Sequence, residues 1–97
     1  MLNELFDNVD LNKPLRIIVE GHSYGKWSIL ASTNLGVDAD IVSDVEAEVT
    51  EYIQNFNNLV NACYKEGKDG YLQIGEVSIY IVRYNAIKFR IVNKDHR

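Results

Sequence analysis

The residues best suited to chemistry form one short segment, in which His22, Ser23 and Tyr24 lie between Gly21 and Gly25. A histidine and a hydroxyl in one loop can supply a general acid, a general base or a nucleophile. Adjacent residues on an extended backbone point in opposite directions, however, and the segment lacks the strand–turn–helix context of a nucleophile elbow. We therefore predict a turn or a partner-contact loop here, rather than a catalytic centre.

The remaining histidine and cysteine positions also lack a site signature. Cys63 is the single cysteine, so no intrachain disulfide can form, and we predict a buried core thiol in a reduced, intracellular protein. His22, Cys63 and His96 do not have metal-ligand spacing, and the acidic residues lack the glycine and terminal glutamate of a calcium loop. Residues 21–26 lack the glycine spacing of a phosphate loop. We predict no metal, no cofactor and no enzymatic activity.

Charge is unevenly distributed along the chain, whose net charge is −4. The middle of the chain has a run of carboxylates without a lysine or arginine among them: Asp38, Asp40, Asp44, Glu46, Glu48 and Glu51. The C-terminal end is basic, with Arg83, Lys88, Arg90, Lys94 and Arg97. The overall acidity argues against a nucleic-acid-binding protein, whereas the asymmetry leaves room for one basic face.

A long amphipathic helix over residues 41–66 is the clearest structural prediction. Its apolar residues recur at alternating spacings of three and four: Val42, Val45, Val49, Tyr52, Phe56, Leu59 and Cys63. With this stripe turned to the core, Asp44, Glu48 and Glu51 lie together on one side of the helix, at positions i, i+4 and i+7. Such carboxylates are able to occupy a cationic groove on a partner; the alternative is a solvated face.

Strands are predicted on both sides of that helix. Residues 15–20 and 26–33 alternate around the Gly-bounded loop and predict a β-hairpin, in which Trp27, Ile29 and Ala31 share one face. Residues 71–74, 77–82 and 86–92 predict a three-stranded antiparallel meander. Residues 2–9 have helical spacing, and residues 93–97 predict a frayed tail.

These elements follow the order α-ββ-α-βββ and predict a single α+β domain over residues 1–97. One long helix packs on an antiparallel sheet of about five strands, in two layers. The outward face of this sheet is a second candidate surface, with Tyr80 beside Lys88 and Arg90. Tyrosine and arginine are enriched at protein interfaces and can also contact single-stranded nucleic acid, whereas cross-strand packing is the alternative role for the tyrosine.

We therefore predict a small, cytoplasmic, non-enzymatic binding protein that acts by docking on a protein with a cationic surface. Small acidic proteins of this layout are common among phage and mobile-element inhibitors and immunity proteins, and on that analogy the chain blocks a basic, nucleic-acid-binding site on its target. The alternative is a nucleic-acid-binding accessory protein that uses the basic, aromatic sheet face. The residues assigned to partner binding are Asp44, Glu48, Glu51, His22, Tyr24, Tyr80, Lys88 and Arg90.

Two further expectations concern membranes and self-association. No apolar run approaches the roughly 20 residues of a membrane span, and the first residues do not resemble a secretory signal. We therefore expect no membrane partner. An open edge strand would permit a homodimer.

Overall fold

A computed structural model of the protein describes residues 9–36 and 42–94. The elements are β1 (Leu15–Ser23), β2 (Lys26–Asn34), α1 (Val42–Glu66), β3 (Tyr71–Ile74), β4 (Val77–Tyr80) and β5 (Ala86–Asn93), with a 3-10 turn (Ile81–Arg83) before β5. In this part of the chain, the predicted α+β class, with one long helix and five antiparallel strands, is confirmed. The helix predicted for residues 2–9 falls outside the described residues except for Val9, and so do Asp38, Asp40 and residues 95–97.

The strands form a three-stranded sheet in the order β2-β1-β5 and a two-stranded sheet of β3 and β4. The predicted meander is therefore wrong in one respect, because β5 pairs with β1 and not with β4. This pairing sets Phe89 opposite Val19 and Ile91 opposite Ile17, so that apolar residues of both strands enter the core together. Antiparallel pairing at the hairpins is as predicted.

A side chain of α1 explains why β4 stops short of the predicted residue 82. The hydroxyl of Tyr64 lies 3.0 Å from the carbonyl oxygen of Ile81 and 2.8 Å from that of Tyr84, and donates to this pair. The amide of Tyr84 in turn donates to the carbonyl of Ile81, 3.2 Å away, which closes the 3-10 turn. The Ile81 amide still donates to the carbonyl of Gly70 across the hairpin at 3.2 Å, but regular pairing of β4 with β3 ends at Tyr80, where the turn begins.

The turn between β1 and β2 is shorter than the predicted five-residue loop. Tyr24 and Gly25 have φ angles of 52° and 78°, and two consecutive positive φ values are typical of the tight type I′ hairpin turn. Gly21, His22 and Ser23 consequently belong to β1. His22 is therefore a sheet residue and not a loop residue.

The core is one cluster to which α1 and all five strands contribute. Its buried members are Leu15, Ile17, Val19, Ala31, Val45, Val49, Ile53, Val60, Cys63, Leu72, Ile74, Ile79, Ile81, Phe89 and Ile91. The predicted core thiol of Cys63 is confirmed. Phe56 is half-buried and stacks on Phe89 with 5.5 Å between ring centroids, whereas Tyr52 and Leu59 lie at the exposed rim of the predicted stripe.

A β-bulge in β2 determines which of its side chains reach the core. Val19 is opposite Ala31, but Glu20 is opposite Ile29, so Leu30 is an additional residue without a register partner. Leu30 packs against the core, and Trp27 and Ile29 are exposed. The predicted common face of Trp27, Ile29 and Ala31 is therefore wrong, because the bulge reverses the alternation between Ile29 and Ala31.

Candidate functional site on the sheet

The candidate site is the face of the three-stranded sheet that points away from α1, here called the outer face. The other face of this sheet carries Phe89, on which Phe56 of α1 stacks, so that face packs against the core. Four cross-strand rows make up the outer face, each listed in the order β2, β1, β5: Trp27–His22–Ala86, Ile29–Glu20–Lys88, Ser32–Ile18–Arg90 and Asn34–Arg16–Val92.

Two large apolar side chains are exposed on adjacent rows of the outer face. Ile29 is 62% exposed and Trp27 is 42% exposed. Ile18 and Val92, in the next two rows, are half-buried. Single apolar residues on a surface are common, but neighbouring ones rimmed by polar groups mark interaction sites. The outer face therefore combines exposed apolar side chains with a polar rim.

The indole of Trp27 is in contact with two polar side chains. The Nζ atom of Lys88 lies 4.2 Å from its ring centroid, within the range of a cation–π interaction. The imidazole of His22, directly opposite in register, has its centroid 5.2 Å away and is tilted by 57°. His22 also approaches the side-chain amide of Asn85, with 3.5 Å between Nδ1 and Nδ2. These contacts limit the orientations of the indole and leave part of it open to solvent.

Two arginines of the outer face are anchored in the same way. The Nε atom of Arg90 donates to Oε1 of Glu20 at 2.9 Å, and the Nε atom of Arg16 donates to Oδ1 of Asn34 at 3.3 Å. Within residues 9–36 and 42–94, the terminal Nη groups of both arginines donate no hydrogen bond. The Arg90 side chain is 48% exposed, so its free Nη groups are accessible to an anion.

The structure brings three of the predicted partner-binding residues, His22, Lys88 and Arg90, onto the outer face. Trp27 and Ile29 were not among the residues predicted for this surface. The sequence signal for their exposure was weak, because simple alternation places Trp27 and Ile29 on the same face as the buried Ala31. Only the bulge at Leu30 puts them on the opposite face. Tyr24 lies beside this face at the hairpin turn and is 98% exposed.

The predicted position of Tyr80 beside Lys88 and Arg90 is wrong. Tyr80 belongs to β4, which pairs with β3 in the other sheet, so it cannot share a strand register with β5. Its ring lies 5.1 Å from that of Tyr71, and its hydroxyl donates to Oδ1 of Asp69 at 2.9 Å. The hydrogen bond to Asp69 raises the pKa of Tyr80. Tyr80 is therefore part of a separate surface pair.

The three predicted carboxylates of α1 are all exposed. Asp44, Glu48 and Glu51 lie on the helix side turned away from the core, and hence on the opposite layer from the outer face. The outer face is rich in cations and the exposed side of the helix in anions. The protein thus presents two surfaces of opposite charge, separated by its core.

In the described part of the chain, no three His, Cys, Asp or Glu side chains gather as metal ligands. None of the described helical residues forms a segment long and apolar enough to cross a membrane. Comparisons with family models, curated proteins and solved structures find no match. The outer face itself is therefore the basis for assigning a function.

Proposed function

We propose that this chain is a non-enzymatic docking protein that binds a protein partner through its outer face. The exposure of Trp27 and Ile29 on adjacent rows of a sheet supports this proposal more than any other observation. Tryptophan and arginine are the residue types that most often dominate the binding energy of protein interfaces. Lys88 and Arg90 flank these apolar side chains in a polar rim, which is the usual layout of such an interface.

The sheet also favours binding energetically. Complete burial of an exposed aliphatic or aromatic side chain contributes about 1.5–3 kcal/mol. The contacts of Trp27 with Lys88 and His22 already restrict its rotamers in the free protein, so less conformational entropy is lost on association. A backbone paired across three strands supports these side chains. A partner surface of matching shape would thus find a preorganised site.

The hypothesis that Asp44, Glu48 and Glu51 occupy a cationic groove stays a prediction. Under it, the chain would be an inhibitor of the phage or immunity type that covers a basic site on its target. The exposure of all three carboxylates is compatible with this role. Exposed charges act mainly on association rate and orientation, however, and large affinities come from buried anchors. We therefore place the main contact at Trp27 and Ile29.

A nucleic-acid partner is the second candidate, since Arg16, Lys88 and Arg90 lie beside an indole on an open sheet. One observation favours a protein instead. The ammonium group of Lys88 lies over the ring of Trp27 on which a base would stack.

The proposal can be tested by affinity capture from a lysate of the source organism. Baits are the parent chain, the double variant Trp27→Ser/Ile29→Ser and the control Tyr71→Ser/Val77→Ser. The control removes one aromatic and one aliphatic side chain of similar exposure, 63% and 43%, from the β3–β4 hairpin. Circular dichroism melting curves check that all baits are folded.

We expect one stoichiometric protein on the parent and on the control, with nuclease treatment making no difference. The Trp27→Ser/Ile29→Ser bait should no longer capture this protein. Retention of the same protein by the Trp27→Ser/Ile29→Ser bait would overturn the proposal. Release of the bound material by nuclease would instead favour the nucleic-acid candidate.

A further inference from the structure

We infer that the partner contacts the outer face with an acidic peptide segment, in which carboxylates lie next to apolar side chains, and that Arg90 and Arg16 bind these carboxylates. This inference rests on the proposed docking function and adds the chemistry of the partner. It assigns a binding role to two arginines, of which Arg16 was not among the predicted site residues.

The anchoring of the two guanidinium groups is the first argument. A guanidinium can offer two parallel N–H groups to one carboxylate, and this bidentate pairing is stronger than a neutral hydrogen bond. Glu20 engages Arg90 through Nε, and Asn34 engages Arg16 through Nε. The Nη edges are thus left over for an external anion, while the rotation of each group is already restricted. An arginine is preferable to a lysine at such a position, because its fork is rigid.

The charge of the outer face is the second argument. Arg16, Lys88 and Arg90 are its cations, and Glu20 is its one carboxylate. The chain as a whole has a net charge of −4, whereas on the outer face these three cations outnumber the one carboxylate. An anionic partner is repelled by the acidic side of α1 and attracted to the outer face. Such an asymmetric field orients an encounter and raises the association rate.

The spacing of the two arginines is the third argument, and it favours an extended segment. Arg90 is opposite Ile18, and Arg16 is opposite Val92, so the arginines are diagonal neighbours on adjacent strands. Diagonal neighbours in an antiparallel pair lie about 7–8 Å apart. Alternate side chains of an extended peptide project from the same side at intervals of roughly 6.6 Å, twice the rise per residue. Two carboxylates at alternate positions therefore match the spacing of the two strand positions from which the arginines project.

The inference can be tested with a synthetic probe. The probe is a short peptide whose alternate positions are glutamate, glutamate, leucine and leucine, separated by threonine. A second peptide replaces both glutamates by glutamine, and a thymidine oligonucleotide serves as the nucleic-acid arm. Titrations of the isotope-labelled full chain are followed by amide chemical shifts. Fluorescence is a second readout, since Trp27 is the single tryptophan.

For the parent chain we expect shift changes confined to β1, β2 and β5, and affinity that falls as salt increases. Arg90→Ala should weaken binding by about tenfold, the range of one charge-assisted hydrogen bond. Arg90→Lys keeps the charge but loses the fork, and should give an intermediate loss. Lys65→Ala removes an exposed cation from α1 as a matched control, and should leave binding unchanged.

Several outcomes would overturn the inference. One such outcome is that the glutamine peptide binds as tightly as the glutamate peptide. Another is that the Arg90→Ala variant binds the glutamate peptide with the same affinity as the parent chain. Failure of the acidic peptide to bind, or tighter binding of the oligonucleotide, also contradicts it. The docking function is judged separately by the capture experiment. Suppose that the Trp27→Ser/Ile29→Ser bait loses the captured protein and an Arg90→Ala bait keeps it. This result would refute the inference of an acidic partner segment, and it would support the outer face as the docking surface.

Discussion

Lys88 and Trp27 belong to strands that are not neighbours, yet Nζ of Lys88 lies 4.2 Å from the centroid of the Trp27 ring. β1 runs between their strands, β5 and β2. The side chains of Lys88 and Trp27 therefore meet across β1, on which Glu20 is the register partner of Lys88. The contact links the two outer strands of the sheet through side chains, in addition to the hydrogen bonds that each strand makes with β1.

Removal of this contact should weaken the outer face without unfolding the chain. We expect Lys88→Ala to lower the free energy of unfolding by about 0.5–1 kcal/mol, the range of exposed cation–π pairs. Urea denaturation measures this loss, and the emission of Trp27 in the native state should change with it. Lys65→Ala on α1 is the control. An identical result for both lysine variants would show that the cation does not contact the indole in solution.

Gly21, the single glycine of β1 and β2, should tolerate a larger side chain poorly. An added Cβ would lie 2.7 Å from Cδ1 of Leu30 and 2.8 Å from Cδ1 of Tyr84. We expect Gly21→Ala to cost about 1–3 kcal/mol through overpacking, and a second change, Leu30→Val, to recover part of this loss. Gly36→Ala is the control, because no residue among those the structure describes lies within 4 Å of its added Cβ. Equal melting temperatures for Gly21→Ala and Gly36→Ala would contradict the packing of Leu30 over Gly21.

Phe56 should contribute more to stability than the other large residues at the rim of the helix stripe. Its ring stacks on Phe89 at 5.5 Å and meets Tyr52 edge-on at 4.6 Å. We expect Phe56→Ala to cost about 3 kcal/mol, the lower end for aromatic truncation, because the ring is half-buried. Leu59→Ala, at the exposed rim, should cost much less. Chemical denaturation measures the loss in free energy of unfolding for both variants. Equal losses would contradict the larger contribution of Phe56.

Tyr64 should couple stability to alkaline pH. Burial and the neighbouring Cys63 raise its pKa in the folded chain. The phenol is therefore harder to deprotonate when folded, so its stabilising effect is complete below the unfolded pKa of about 10 and is lost as pH rises through the folded value. Tyr64→Phe should cost about 0.5–1.5 kcal/mol at neutral pH and reduce the alkaline loss of stability. Denaturation curves at neutral and at alkaline pH measure both effects, and Tyr24→Phe at the exposed turn is the control.

The neutral triple variant Asp44→Asn/Glu48→Gln/Glu51→Gln distinguishes the two candidate surfaces. If the helix carboxylates contact a cationic partner, affinity should fall clearly, and most steeply at low salt. If the outer face is the binding surface, the triple variant should bind the captured protein as the parent does, while Arg90→Ala weakens binding. Titration at low and moderate salt measures this, with a melting curve as the control for folding.

The elements with local signals could be predicted from the sequence. The three–four spacing of Val45, Val49 and Cys63 identified α1 because residues of one helix face approach each other within the helix itself. The hairpin followed from alternation on both sides of a glycine-bounded turn. The burial of Cys63 followed from its place in the helical stripe. Each of these predictions depends only on residues close together in the sequence, and not on which distant segment packs against them.

The composition of the outer face was decided only by tertiary structure. A single additional residue, Leu30, reverses the side-chain alternation of β2, and the sequence pattern does not show where such a bulge will form. The pairing of β5 with β1 brings Lys88 to Trp27 and Arg90 to Glu20 from distant parts of the chain. Strand partners are chosen by the burial of all apolar faces at once, which is a property of the assembled core. Local spacing could therefore predict that strands exist, but not which side chains they would bring together.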